Sequence, residues 1–165
     1  MKGAARESGF VLLEVLLLLL ALGLAARWAV PEALRIYKYG AVRYEAEQLL
    51  SELRYEQAVA RTAVQNIGKD GTTAIASTRP SLLMTGKGYI IYRGQEIVKR
   101  HSCISPVKMQ FNGNWSGRNQ LMYFNANGDI YPNVTIKVFA AGGIVCRLVV
   151  DSAGRFRLER NDSGG

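Results

Sequence analysis

From Phe10 to Ala26 the sequence is apolar apart from a single charge, Glu14. A run of this length nearly crosses a bilayer as a helix, which takes roughly 17–25 residues. The segment therefore has to be covered by lipid or by other apolar surface, and it cannot fold as an ordinary solvated helix. A carboxylate inside such a run costs several kcal/mol unless it finds a partner. Glu14 is thus the residue in the run that calls for a functional explanation. A short polar stretch precedes it, with Lys2, Arg6 and Glu7, and ends in Ser8-Gly9-Phe10.

Gly9-Phe10, the acid at Glu14 and the apolar run together resemble the class III leader of type IV pilins and type II secretion pseudopilins. The resemblance implies that a prepilin peptidase cuts between Gly9 and Phe10 and methylates the new Phe10 terminus. It also implies a role for Glu14 in assembly. Its carboxylate would pair with the Phe10 amine of a neighbouring subunit, so that both charges are tolerated only in the filament. Two plainer readings remain open. One is a secretory signal peptide with small residues near Ala21 to Ala26, although a Glu in the apolar core and a Phe directly after Gly fit that poorly. The other is a single-span anchor in which Glu14 is an accident.

Pro31 lies twenty-one residues after Phe10, an offset at which many type IV pilins carry proline. Inside a helix it removes a hydrogen bond and kinks or melts a turn; near a first turn it would mark a restart. Beyond it the pattern is helical from Glu32 to Asn66. Val42, Ala46, Leu49, Leu50, Leu53, Gln57, Ala60 and Val64 form one face. Glu45, Glu47, Glu52, Arg54 and Glu56 are expected to face elsewhere. Gly68 and Asp70-Gly71 are expected to stop the helix.

The remainder reads as short strands. Candidates are Thr72–Ser77, Ser81–Thr85, Gly88–Tyr92, Glu96–Arg100, Gln120–Asn125, Val134–Ala140, Ile144–Val150 and Arg155–Arg160. Turns fall at Gly94, Asn127-Gly128, Gly142-Gly143 and Gly154. Phe111 to Asn119 reads as an exposed loop. The expected class is α+β: a long N-terminal helix, then a small antiparallel sheet domain. The expected divisions are a leader at 1–9, a membrane or filament-core helix at 10–30, an amphipathic helix at 31–67 and an exported β domain at 68–165. This order resembles the GspH/FimT type of minor pseudopilin and the D-type minor pilin of competence operons. The elements that carry the likeness are Leu53 to Ala60, Tyr123-Phe124-Asn125-Ala126-Asn127-Gly128 and Gly154-Arg155-Phe156-Arg157.

The net charge is +8 and is unevenly spread: residues 10–61 hold six basic and six acidic groups, residues 62–165 thirteen basic and six acidic. An anionic partner for the C-terminal part and simple solubility both fit this excess. Gly154-Arg155-x-Arg157 matches a motif that some FimT-type pilins use to bind DNA. Strand alternation would put Arg155 and Arg157 on one face and Phe156 and Leu158 on a buried one. Arg118 and Asn119 in the preceding loop would add contacts to double-stranded DNA. The plainer reading is a charged edge strand that blunts association. Lys99-Arg100-His101 reads as a solvated strand end, with His101 alone.

Cys103 and Cys146 are either a disulfide, worth roughly 4 kcal/mol in the chain-entropy model, or two small hydrophobes. The sequence has one histidine and shows no clustered His/Cys/Asp/Glu spacing, so neither a metal nor another cofactor is expected. No acid/base pair, nucleophile elbow or phosphate loop suggests an enzyme. The expectation is a single-pass inner-membrane subunit with an exported C-terminal domain, joined with other pilins in a surface or periplasmic filament. Two roles stay open: DNA capture by a competence pilus, and initiation of a type II secretion pseudopilus without a nucleic-acid role.

Overall fold

The computed structural model describes residues 4–65, 79–112 and 121–161, the side chains of 4–9, 63–65 and 160–161 excepted. The expected strand at 72–77 and the helix stop at Gly68 and Asp70-Gly71 lie outside the described residues, as do Arg118 and Asn119. The chain divides into two units, Met1–Tyr37 and Lys38–Gly165.

One helix, α1, runs from Ala4 to Gln65 with Pro31 inside it. No second helix starts at the proline. The residues around it are strong helix formers such as Leu, Ala, Arg and Glu, which hold the helix on both sides of the missing hydrogen bond. Within the first unit the apolar side chains are bare: Phe10 is 69% exposed, Leu17 55% and Trp28 79%. The helix contains a window long and apolar enough to cross a membrane, none of it buried.

The second unit is built from the end of α1 and nine strands among the described residues. They are β1 (Pro80–Thr85), β2 (Gly88–Arg93), β3 (Glu96–Ser102), β4 (Lys108–Asn112), β5 (Leu121–Phe124), β6 (Ile130–Tyr131), β7 (Val134–Ala140), β8 (Ile144–Val150) and β9 (Phe156–Asn161). They form two antiparallel sheets rather than the single small sheet expected: a five-stranded β3-β2-β1-β5-β6 and a four-stranded β4-β7-β8-β9. Two strands were not expected. β4 takes Phe111 and Asn112 out of the loop assigned to 111–119, because Met109 and Phe111 alternate with polar neighbours and pair with Val138 and Ile136. β6 is only Ile130–Tyr131, paired to Phe124 and Tyr123 across the Asn125–Asp129 turn.

Alternation places the core. Ile136, Val138, Cys146, Leu148 and Val150 of the second sheet are buried with Leu82, Tyr89, Ile91, Met122 and Phe124 of the first. Val42, Ala46, Leu49, Leu53 and Ala60 of the helix complete the same cluster. Phe156 and Leu158 only border it, half-buried. The inner row expected for β9 is therefore present, but Phe156 is not enclosed.

Cys103 and Cys146 do not form a disulfide. Cys103 follows the end of β3 in the first sheet, whereas Cys146 sits mid-strand in the second, its Sγ 3.9 Å from the carbonyl oxygen of Glu159. Of the two alternatives for the cysteines, the structure takes the one without a bond.

Candidate functional site

The sequence elements that carry the family likeness converge at one point in space. Gln57 on α1 is buried, and its Nε2 donates to the carbonyl oxygens of Gly128 at 2.7 Å and Gly154 at 2.8 Å. Arg61, one turn on, donates to the carbonyl oxygen of Asn127 at 3.3 Å. The two turns also hold each other, since the Ile130 N–H donates to the Ser152 carbonyl oxygen at 3.2 Å. Gly154 has φ +71°, and a Cβ there would strike both Gln57 Nε2 and the Gly128 carbonyl oxygen. The glycine that opens Gly154-Arg155-Phe156-Arg157 is thus required by this packing: a left-handed backbone is cheap only for glycine.

The node aims the terminal arginines. Asp151 caps its own turn through the Ala153 N–H and accepts from Arg155 Nε at 3.1 Å. Arg155 and Arg157 are exposed, with side chains 81% and 73% accessible. Each meets a carboxylate: Arg155 Nη2 lies 3.0 Å from Asp151, and Arg157 Nη2 lies 2.8 Å from Glu159. Arg157 stands on β9, while Arg155 belongs to the turn before it. On the outer face of the second sheet, Lys137, Arg147 and Glu159 are aligned across β7, β8 and β9. Lys108 and Arg157 flank that row. Arg147 Nε is buried and has no hydrogen-bond partner. The face is rich in cations, although its exposed arginines are partly neutralised by their own strand and turn.

A second constellation contradicts the sequence expectation. Glu45 and Glu56 do not face away from the sheet; they are 0% and 2% exposed. Both lie in the helical phase of Leu49, Leu53 and Ala60, and residues of the β2–β3 hairpin meet this face. Arg93 Nη2 donates to Glu56 Oε1 at 3.0 Å, and Lys99 bonds Glu52. The Glu56 hydrogen bond raises the pKa of Arg93, keeping it charged. His101 is not a solvated end: its Nε2 lies 2.7 Å from Glu45 Oε2, and its ring sits 4.9 Å from that of Tyr89. Lys99 and His101 turn toward the helix because they alternate with Arg100, which is exposed. The other Glu45 oxygen, Oε1, accepts from the Ile104 N–H at 2.8 Å. Cys103 completes the group, so the fold assembles a Glu/His/Cys cluster that the sequence spacing did not suggest.

Of the N-terminal residues, Gly9 and Phe10 lie within α1. Phe10 and Glu14 are exposed and stand one helical turn apart. Pro31 lies within the same helix.

No protein-family model matches the sequence, and no curated protein matches it. The crystal structure of the type IV minor pilin FimU of Pseudomonas aeruginosa (strain PAO1) resembles it with a TM-score of 0.50. The match covers 71% of this chain and 91% of that one at 18% identity. The likeness is one of fold: a long N-terminal helix followed by antiparallel sheets, as in a pilin.

Proposed function

We propose that this chain is a minor pilin: a membrane-anchored filament subunit rather than an enzyme. The observation that carries this reading is the bare apolar helix from Phe10 onward on a chain whose remainder has the pilin fold. Such a helix is stable only in lipid before assembly and against other pilin helices afterwards. Gly9-Phe10 supplies the prepilin-peptidase site and Glu14 the charge that registers each subunit in the filament. The β domain is exported across the inner membrane.

In the finer reading, the filament belongs to a competence system and the outer face of the second sheet contacts double-stranded DNA. Arg155 and Arg157 reach phosphates beside Lys137 and Arg147; Arg118 is a further candidate. Contacts of this kind are independent of sequence and sensitive to salt. Phosphate would have to compete with Asp151 and Glu159 for the two arginines. Those internal ion pairs favour a second reading, a minor pseudopilin of a type II secretion system that binds no nucleic acid.

A mobility-shift assay separates the two, using the full chain in a non-ionic detergent with unrelated duplexes at several salt concentrations. The competence reading predicts similar weak affinities for all sequences, on the scale of about 10⁻⁴–10⁻⁶ M at physiological salt. Changing Arg155 and Arg157 together to Gln should reduce the salt slope by roughly one to two charges without unfolding the domain. No binding even at low salt would leave the secretion reading. Binding that ignores the double substitution would move the site elsewhere on the basic domain.

A further inference from the structure

Glu45 lies 56 residues before His101, with Cys103 just beyond it at the end of the same strand, yet one ligand atom from each falls within 4.8 Å of the others. Each also has a contact outside the group. Glu45 is on α1, with Oε1 fixed by the Ile104 N–H at 2.8 Å. His101 is on β3, opposite Tyr89 in the β2 ladder and packed against its ring. Cys103 follows the same strand, its own N–H donating to the Lys87 carbonyl oxygen at 2.8 Å. Glu45 is fully buried, while His101 and Cys103 are half-buried, so the group is enclosed on the helix side and open to solvent on the other.

We propose that Glu45, His101 and Cys103 are the protein ligands of a zinc ion whose fourth position is open to water. A thiolate, an imidazole and one carboxylate oxygen are the donors zinc takes, whereas calcium and magnesium require oxygen throughout. Ligand atoms bound at roughly 2.0–2.3 Å to one tetrahedral zinc stand about 3.3–3.7 Å apart. The ion therefore replaces the hydrogen bond of 2.7 Å between His101 Nε2 and Glu45 Oε2. The Ile104 N–H stays on Oε1 and orients the carboxylate from outside the ligand shell.

Zinc binds cysteine as the thiolate, so a protonated Cys103 would release its proton to the buffer as the sulfur–zinc bond forms. The Tyr89 hydroxyl is buried with no hydrogen-bond partner. The proposal does not depend on the filament role of the chain.

The test uses the untagged full chain in detergent, stripped of metal and kept reduced. Equilibrium dialysis against Zn²⁺ should give one ion per chain, and Co²⁺ should give a thiolate-to-cobalt charge-transfer band. Cys103→Ser should abolish the band. Cys103→Ser and His101→Gln should each weaken Zn²⁺ binding by at least about tenfold, the least that even outer-shell changes cost. Circular dichroism checks that both variants are folded, and Cys146→Ser, in the other sheet, should leave band and stoichiometry unchanged. Absence of stoichiometric zinc in the wild type, or a band and affinity that survive Cys103→Ser, would overturn the proposal.

Discussion

Gly154→Val should lower the unfolding free energy of the β domain by about 3–5 kcal/mol. Several costs coincide at this position. The backbone has φ +71°, which costs an ordinary L residue roughly 1–2 kcal/mol and a β-branched one more. The new side chain also meets the Gly128 carbonyl, which is backbone and cannot swing away. It displaces the Gln57 amide as well, leaving buried acceptors without a donor at about 1–3 kcal/mol each. Denaturant melts of the full chain in detergent measure the loss. Gln57→Ala should show part of the same defect, and the double variant should fall short of the sum, because the two share one network. A loss under about 1 kcal/mol for Gly154→Val would mean that Gln57 does not hold the turn.

Glu14→Val should leave membrane insertion and leader removal intact while cutting filament incorporation by more than about a hundredfold. The substitution makes the helix more apolar, so lipid gains and any loss must come from a specific contact. If the contact is the Phe10 amine of a neighbouring subunit, that amine is left unpaired inside the filament at a cost on the order of 3–5 kcal/mol. Sheared filaments from a strain expressing the variant, compared with membranes from the same cells, give the ratio directly. Incorporation at the wild-type level would remove Glu14 from assembly.

The parts of the molecule that were legible in the sequence are those fixed by neighbours along the chain. Val134–Ala140 and Ile144–Val150 are observed at the expected bounds, because strict alternation is interrupted only by Gly142-Gly143. The helical stripe from Val42 to Ala60 followed from its 3.6-residue period. What was not legible depends on residues distant in sequence. Glu45 and Glu56 share the phase of that stripe, but a carboxylate is normally placed in water. Their partners His101 and Arg93 lie 56 and 37 residues away. The lone histidine looked inert for the same reason, and with it the Glu/His/Cys cluster was missed. The phase was the available signal: Glu45 and Glu56 are three turns apart on the buried side. The division into two sheets was hidden because β4, short and followed by Gly113, Asn114 and Ser116, pairs with β7 beyond the intervening β5 and β6. The Gly154 turn was visible as a turn, but its link to Gln57 spans 97 residues and appears only in the folded chain.

The central claim, that this chain enters a type IV filament as a pilin, rests on its N-terminus being made by prepilin peptidase. The most direct test is the intact mass and N-terminal peptide of the protein co-expressed with that enzyme. The claim predicts loss of residues 1–9 and a methyl group on the amine of Phe10, both abolished by Gly9→Asp. Cleavage near Ala26 would contradict it and make the segment a secretory signal. An uncut chain that still begins at Met1 would contradict it too, leaving a plain membrane anchor.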